Sequence, residues 1–407
     1  MHSISDPSRV RFTGPLAPFA AGLGAELATL GYASSSATNQ LQLAAHLSRW
    51  LRARGLGPAD LTGPVLRKFL VDRRRHYSNL YSLPALGPTL GYLRRVGVAP
   101  AAGPTVPMGA GDQLLARFRG YLLVERSVTV PVADAYMRWV RPLVDEVAAT
   151  DAELTFVGVD AAQVTKFLTE HLPTLTRKSA QMTASSLRSF LRFLHAEGAT
   201  ALDLAPVVPA FAFWRLSGLP QPLTPVQVQA LVGACDPSRP LGRRDLAVIA
   251  CLLRLGLRCG EVAALGLDDL NWTDGTLTVH GKGGRVDVLP LPVDVGQALV
   301  DYLRRGRPAT AERVVFLTAR APFTALARSS VSCIVGRAAR RAGLGTVHAH
   351  RLRHTAASTT LNAGATLEQV AHLLRHASPA TTAVYAKTDL SRLAGLARPW
   401  PSAGDRP

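Results

Sequence analysis

Along the first two hundred residues, apolar side chains recur at spacings of three and four, the period of short helices that each bury one face. Two Pro/Gly-rich stretches interrupt this pattern, Ala99–Gly111 and Ala205–Pro225, and neither can continue a helix. They leave three blocks. The first two resemble each other: Arg49-Trp50-Leu51 has a counterpart in Arg138-Trp139-Val140, and Lys68-Phe69-Leu70 in Lys166-Phe167-Leu168. Leu90, Leu93 and Gly97 recur as Leu191, Leu194 and Gly198. The offset drifts from 89 (49 to 138) to 98 (68 to 166) to 101 (90 to 191), which describes a diverged duplication rather than a regular repeat.

The third block is mixed. Thr224-Pro225 reads as the N-cap and first residue of a helix to about Ala234, and Arg243–Leu255 as a mostly apolar helix stopped at Gly256. Gly275–His280 and Arg285–Leu291 are β-branched and apolar around Gly281-Lys282-Gly283-Gly284, so they predict a β-hairpin with Lys282 in its turn; Val314–Leu317 is the candidate third strand. Further helices are expected over about 293–305, 329–342, 351–363, 366–374 and 379–387, with Thr366 and Gln369 as a capping box. The expected fold is mainly α with a small antiparallel β-sheet.

Charge changes the picture most. The 407 residues carry a formal net charge of +18, which excludes a neutral metabolic enzyme as the default and points to nucleic acid or an anionic membrane surface. Only Lys68, Lys166, Lys178, Lys282 and Lys387 are lysines, so arginine, whose fork suits phosphate, supplies nearly all of the positive charge. A hydrophobic content of 47% excludes intrinsic disorder. A basic run is ordinarily a solvated helix face. In paired helical modules of so basic a chain, however, Arg73, Arg74, Arg75, Arg177 and Lys178 become candidates for DNA phosphate contact. Cys235, Cys251, Cys259 and Cys333 form no C-x-x-C pair, so neither a disulfide framework nor a structural zinc site is expected. Arg9 and Arg11 before the apolar Pro15–Tyr32 faintly imitate a signal peptide, but Pro15, Pro18 and Glu26 break it. No run is long enough to span a membrane, and the expectation is a soluble, cytoplasmic protein.

H-E-x-x-H, the P-loop and the Rossmann glycine fingerprint are all absent, as is G-x-S-x-G. Asp268, Asp269, Asp274 and Asp287 read as loop and turn acids rather than a two-metal site, so neither metal nor cofactor is expected. What remains is a set of phosphate-handling groups. Arg258 stands at a helix start with Glu261 one turn on, placed to brace its guanidinium. Lys282 sits on the glycine turn. His350, Arg353 and His354 share a helix face, and His376 precedes Tyr385 by nine residues.

Segment by segment, GLRCGEVAAL, GKGGR, HRLRHTAAS and LLRHASPATTAVY resemble the tyrosine recombinase (phage integrase) family. The resemblance makes Arg258 and Arg353 the two catalytic arginines, Lys282 the hairpin lysine, His350 and His376 the two histidines, and Tyr385 the nucleophile. It implies a catalytic domain over 222–400 and a helical, SAM-like core-binding domain over 112–206 that clamps DNA. The 1–100 stretch then looks like a second copy of that module. Two residues depart from the pattern: Arg375 replaces the family's usual glycine, altering the loop or adding a DNA contact, and Ala377 replaces a common serine.

The chemistry is coherent. Two fixed guanidinium groups meet the charge on the phosphate's equatorial oxygens, and one such donor is worth about 10²–10³ in rate. Tyr385, with an ordinary pKa near 10, must be activated by the surrounding positive charge or by handing its proton to a neighbour, and His350 is the natural group for that proton or for a non-bridging oxygen; Lys282 protonates the leaving 5′-oxygen; His376 bonds the scissile phosphate. A 3′-phosphotyrosine conserves the bond energy, so religation needs neither ATP nor metal. The implied protein is a site-specific recombinase of a mobile element, acting on double-stranded DNA as a homotetramer, alone or with related recombinases, and without a membrane. Leu393, Leu396 and Trp400 are candidate docking residues in the tail. The rivals are a type IB topoisomerase-like relaxing enzyme, a DNA-binding accessory protein without catalysis and, more remotely, a metal-dependent transposase.

Overall fold

The computed structural model describes residues 7–101, 109–150, 156, 159–210, 221–281, 284–375 and 382. In the first block, helices α1 (Ala20–Thr29), α2 (Ser34–Arg52), α3 (Gly63–Arg74) and α4 (Gly87–Arg95) close over Leu43, Leu47, Leu51, Phe69, Leu90 and Leu93. Leu23 and Leu27, inside the stretch that imitates a signal peptide, are buried against Leu41 and Ala44.

The middle block is again four helices: α5 (Ala110–Val124), α6 (Val130–Thr150), α7 (Ala161–His171) and α8 (Arg177–Ala196). Its core is aromatic, with Phe118 and Phe190 edge to face at 5.1 Å and Phe156 edge-on to Phe190 at 5.8 Å. All three repeated segments fall on corresponding helices, α2 with α6, α3 with α7 and α4 with α8. The last helix of each block then stops in the same way. Gly97 and Gly198 both adopt left-handed φ (75° and 70°), and the amides of Val98 and Ala199 bond back to the carbonyls of Leu93 and Leu194. The Trp segment is where the two blocks diverge. Trp50 ends α2, buried, and donates to Asp72 Oδ2 at 2.9 Å, whereas Trp139 lies half-buried in mid-α6.

In the third block Thr224 caps α9 (Pro225–Gly233), accepting from the Gln227 amide at 3.2 Å. The core is built on α10 (Pro240–Arg254), whose Ala247, Val248, Ile249, Cys251 and Leu252 are fully buried. Against it pack α12 (Val293–Arg305), α13 (Arg328–Arg341) and α14 (Ala349–Asn362). The short α11 (Cys259–Ala264) follows α10, and α15 (Leu367–Leu374), capped by Thr366 and Gln369, closes on α14 through Leu361, Val370 and Leu374.

The hairpin forms as β2 (Thr276–His280) and β3 (Val286–Pro290), antiparallel, with Thr278 opposite Val288. The third strand is not Val314–Leu317. It is the two-residue β1 (Leu270–Asn271), paired with β2. Val315, Phe316 and Leu317 are consecutive and fully buried, so their apolar run reflects a core-crossing loop with only isolated bridges rather than a half-buried strand. The helix expected over 379–387 lies outside the described residues except for Thr382, as do the tail residues Leu393, Leu396 and Trp400. The described residues fall into two compact units, one from the segments before 101 and after 214, the other from 101–214. Among them, no helix is long and apolar enough to cross a membrane.

Candidate functional site

Arg258 is the N-cap of α11, and Glu261 completes the cap in place of the usual serine or aspartate. The Glu261 carboxylate accepts from the Arg258 backbone amide at 2.8 Å and from Arg258 Nη1 at 2.5 Å. The arginine side chain is 45% exposed and the glutamate 6%. The cap therefore fixes the base of Arg258 and leaves its guanidinium open at the surface. Its Nη2 also reaches the Arg375 carbonyl at 3.4 Å.

Behind it lie two buried arginines. Arg353, on α14 and 3% exposed, donates from Nη1 to the Gly256 carbonyl and from Nη2 to the Leu374 carbonyl. Gly256 takes a left-handed φ of 57° in the turn that ends α10, where a Cβ would meet Leu374 Cδ2 at 2.8 Å, so the turn requires glycine. Arg375, the C-cap of α15, has its side chain 2% exposed and is bonded to Glu261 Oε2 at 2.9 Å and to the Leu373 carbonyl at 2.9 Å. It makes longer contacts to the carbonyls of Leu255 (3.5 Å) and Gly256 (3.4 Å). Its φ of 52° costs a non-glycine residue about 1–2 kcal/mol. The departure from the family's glycine thus produces a buried structural ion pair, and the side chain is not directed at DNA.

Electrostatics follow this geometry. Burial alone would push the Glu261 pKa up, but the Arg258 amide and the two guanidinium groups hold it below the usual carboxylate value. For Arg375 burial lowers the pKa, while Glu261 and, more weakly, Asp287 on β3 favour its charged form. On α14, His350 is exposed and its ring stands edge to face with that of His354 at 4.3 Å. Burial, then His350 and Arg353, push the His354 pKa down to about 4, so this imidazole is neutral at pH 7. The structure thus brings Arg258, Glu261 and Arg353 together and sets His350 and His354 on the helix that carries Arg353. Lys282, His376 and Tyr385 lie outside the described residues. The hairpin that leads into Lys282 is closed by the Gly281 amide on the Arg285 carbonyl at 2.7 Å.

The sequence misplaced Arg73. It is 4% exposed, and it donates from Nε to the Leu80 carbonyl at 2.9 Å and from Nη1 to His46 Nδ1 at 2.8 Å. Its guanidinium also lies 4.1 Å from the Tyr77 ring centroid, so it holds the loop after α3 and cannot face a phosphate. Arg74, Arg75, Arg177 and Lys178 are exposed. The four aspartates serve local roles: Asp268 pairs with Arg313, Asp269 accepts from the Gly266 amide, Asp274 from Asn271 and Asp287 from Arg285. Among the described residues no group of three His, Cys, Asp or Glu could hold a metal. The role of Arg375 escaped the sequence reading; a basic residue at a helix C-cap, where glycine is favoured, was the available signal.

Known proteins place this chain among integrases and recombinases. The profile of the Phage integrase family matches residues 221–392. An integrase/recombinase of Sinorhizobium fredii, y4rA, is 36% identical over 395 residues, covering 95% of each chain, and so extends over the first block. The tyrosine recombinase XerC of Xanthomonas campestris pv. campestris is 34% identical over 308 residues, 74% of this chain and 92% of its own. Among solved structures, the XerH recombinase bound to its palindromic difH substrate aligns with a TM-score of 0.56 at 18% identity, covering 81% and 93% of the two chains. A lambda integrase dimer on a core site aligns at 0.53 and 19%, covering 72% and 99%. The chain belongs to the phage integrase family of tyrosine recombinases.

Proposed function

We propose that this protein is a site-specific recombinase that cleaves and rejoins double-stranded DNA through a 3′-phosphotyrosine at Tyr385. The observation that carries the reading is the lacing of Arg258 to Arg353. Arg258 Nη2 and Arg353 Nη2 bond the carbonyls of consecutive residues, 375 and 374, so guanidinium groups 95 positions apart (258 to 353) meet at the end of α15. That convergence holds the exposed Arg258 as a fixed donor for the charge of a phosphodiester transition state.

In this reading Arg258, the exposed member, binds the non-bridging oxygens, and Arg353 orients the pocket from behind. His350 takes or shares the Tyr385 proton, Lys282 protonates the departing 5′-oxygen, and His376 bonds the scissile phosphate. Glu261 braces Arg258, and neutral His354 packs beside His350. The exposed Arg74, Arg75, Arg177 and Lys178 meet the DNA backbone, the 1–100 stretch acting as a second helical DNA-clamping module in addition to the 112–206 domain. The chemistry requires neither ATP nor a metal. Lambda integrase solved as a dimer and as a tetramer on DNA supports assembly of this chain as a tetramer on two duplexes. The enzyme works with the chromosome in the cytoplasm, and the extra module favours a mobile-element role.

The test uses nicked suicide duplexes tiled across the DNA flanking the gene. Wild-type protein forms a covalent adduct and Tyr385→Phe forms none; an adduct with the Phe variant refutes the nucleophile. Lys282→Ala slows cleavage and recovers when sulfur replaces the leaving oxygen, and failure to recover removes Lys282 from its role.

A further inference from the structure

Glu261 is shared. One oxygen faces Arg258 Nη1, and the other accepts from both the Arg258 amide and Arg375 Nη2 at 2.8 and 2.9 Å. A glutamate paired with Arg258 alone would cancel its charge. With Arg375 in the same bridge, two guanidinium groups face one carboxylate, and the cluster keeps a net positive charge for a phosphate. Arg375 directly precedes His376 in the sequence, and its donors reach back to the carbonyls of Leu255 and Gly256, in the turn that carries Arg258. Nothing about this side chain suggests a surface role: it is almost fully buried in spite of its charge.

We propose that Arg375 is a positioning residue for Arg258. It locks the Leu255–Arg258 turn to the end of α15, and it takes part of the Glu261 carboxylate so that Arg258 keeps charge for the substrate. The proposal rests on the recombinase reading. The family's glycine at this position relieves the left-handed backbone but supplies neither the charge nor the clamp, so the arginine exchanges local backbone ease for a fixed and more positive pocket.

Three variants separate this role from packing. Arg375→Gly relaxes the backbone, Arg375→Met fills the same space without charge, and Arg375→Lys restores the charge without the fork. Each is checked for folding by thermal unfolding, for DNA retention by gel shift, and for single-turnover adduct formation on the nicked duplex that the wild type cuts. The Gly and Met variants are expected to retain DNA as the wild type does and to cleave about 10²-fold more slowly, the usual cost of misplacing a reacting group by an ångström. Lys is expected to recover part of that loss. A folded Met or Gly variant that cleaves at the wild-type rate overturns the role of Arg375 alone. Absence of any adduct with the wild type overturns the recombinase reading, and this proposal with it.

Discussion

Arg73, Arg74 and Arg75 are consecutive arginines, yet replacing them with alanine has opposite consequences in two assays. Arg73→Ala removes the donors that hold Leu80 and Asn79 and the partner of His46 Nδ1. A hydrogen bond from a charged donor contributes about 1.5–3 kcal/mol. The freed main-chain carbonyls regain water, so the half-buried His46 contact is the one counted, and stacking on Tyr77 adds about 1 kcal/mol. Against this, the released loop lets Leu80 leave its left-handed φ of 48°, returning about 1 kcal/mol. The net loss is about 2 kcal/mol, or about 4–8 °C in melting temperature at 2–4 °C per kcal/mol. Binding to a DNA duplex, read by gel shift from 50 to 200 mM salt, should keep its salt slope. Arg74→Ala and Arg75→Ala should leave the melting temperature unchanged and each flatten the log–log slope by about 0.9, the signature of one lost phosphate contact. If Arg73→Ala melts like the wild type and flattens the slope, the buried guanidinium reaches DNA and the reasoning from its bonds is wrong.

Three further outcomes are expected. Glu261→Gln strips Arg375 of its anionic partner, and the loss should be about 3 kcal/mol, at the low end for a broken buried pair because the exposed Arg258 can rehydrate; urea unfolding that matches the wild type would contradict the bridge. His354 titrates near pH 4 in the fold and near 6.5 in the unfolded chain, so the unfolded state takes the proton first and stability should fall as pH drops from about 6.5 to about 4. His354→Gln should flatten that pH dependence of the melting temperature, and an unchanged slope would count against it. Phe190→Ala should cost the 101–214 unit about 3–5 kcal/mol by opening a cavity beside Phe118 and Phe156, and near-native urea stability of that unit would refute the packing account.

The described helices of the third block were legible to within a few residues because their signals are local: Thr224 with Gln227, Thr366 with Gln369, and apolar spacing along α10 and α12. The likeness of the first two blocks was legible for the same reason. The glycines that end α4 and α8 are set by backbone geometry that each block needs separately. The errors came where one sequence pattern serves two physical states. Val314–Leu317 is apolar because every residue is buried, which an alternating strand does not require, and the two-residue β1 is too short to carry a period. The order of motifs supplied Arg258, Glu261 and Arg353, but not which of the arginines stays open to solvent. That depends on carbonyls at the ends of α10 and α15, far away in sequence.

Those carbonyls bear on the meaning of the charge itself. Among the described residues the buried arginines are Arg73, Arg244, Arg353 and Arg375, and each donates to main-chain oxygens in loops or at helix ends. They hold Leu80 after α3, Leu317 in the core-crossing loop, Gly256 and Leu374, and Leu373, respectively. A helix end buried in a core leaves carbonyls without partners, and a guanidinium with five fixed donors can satisfy several at once where lysine, a point charge, cannot. Part of the arginine excess is therefore architectural. Counting decides how much that matters: among the described residues the four are accompanied by two buried acids, Asp245 and Glu261, so the buried set carries 4 − 2 = 2 positive charges, against +18 for the whole sequence. Most of the excess thus stays outside the buried core, where a field that draws in a polyanion must arise.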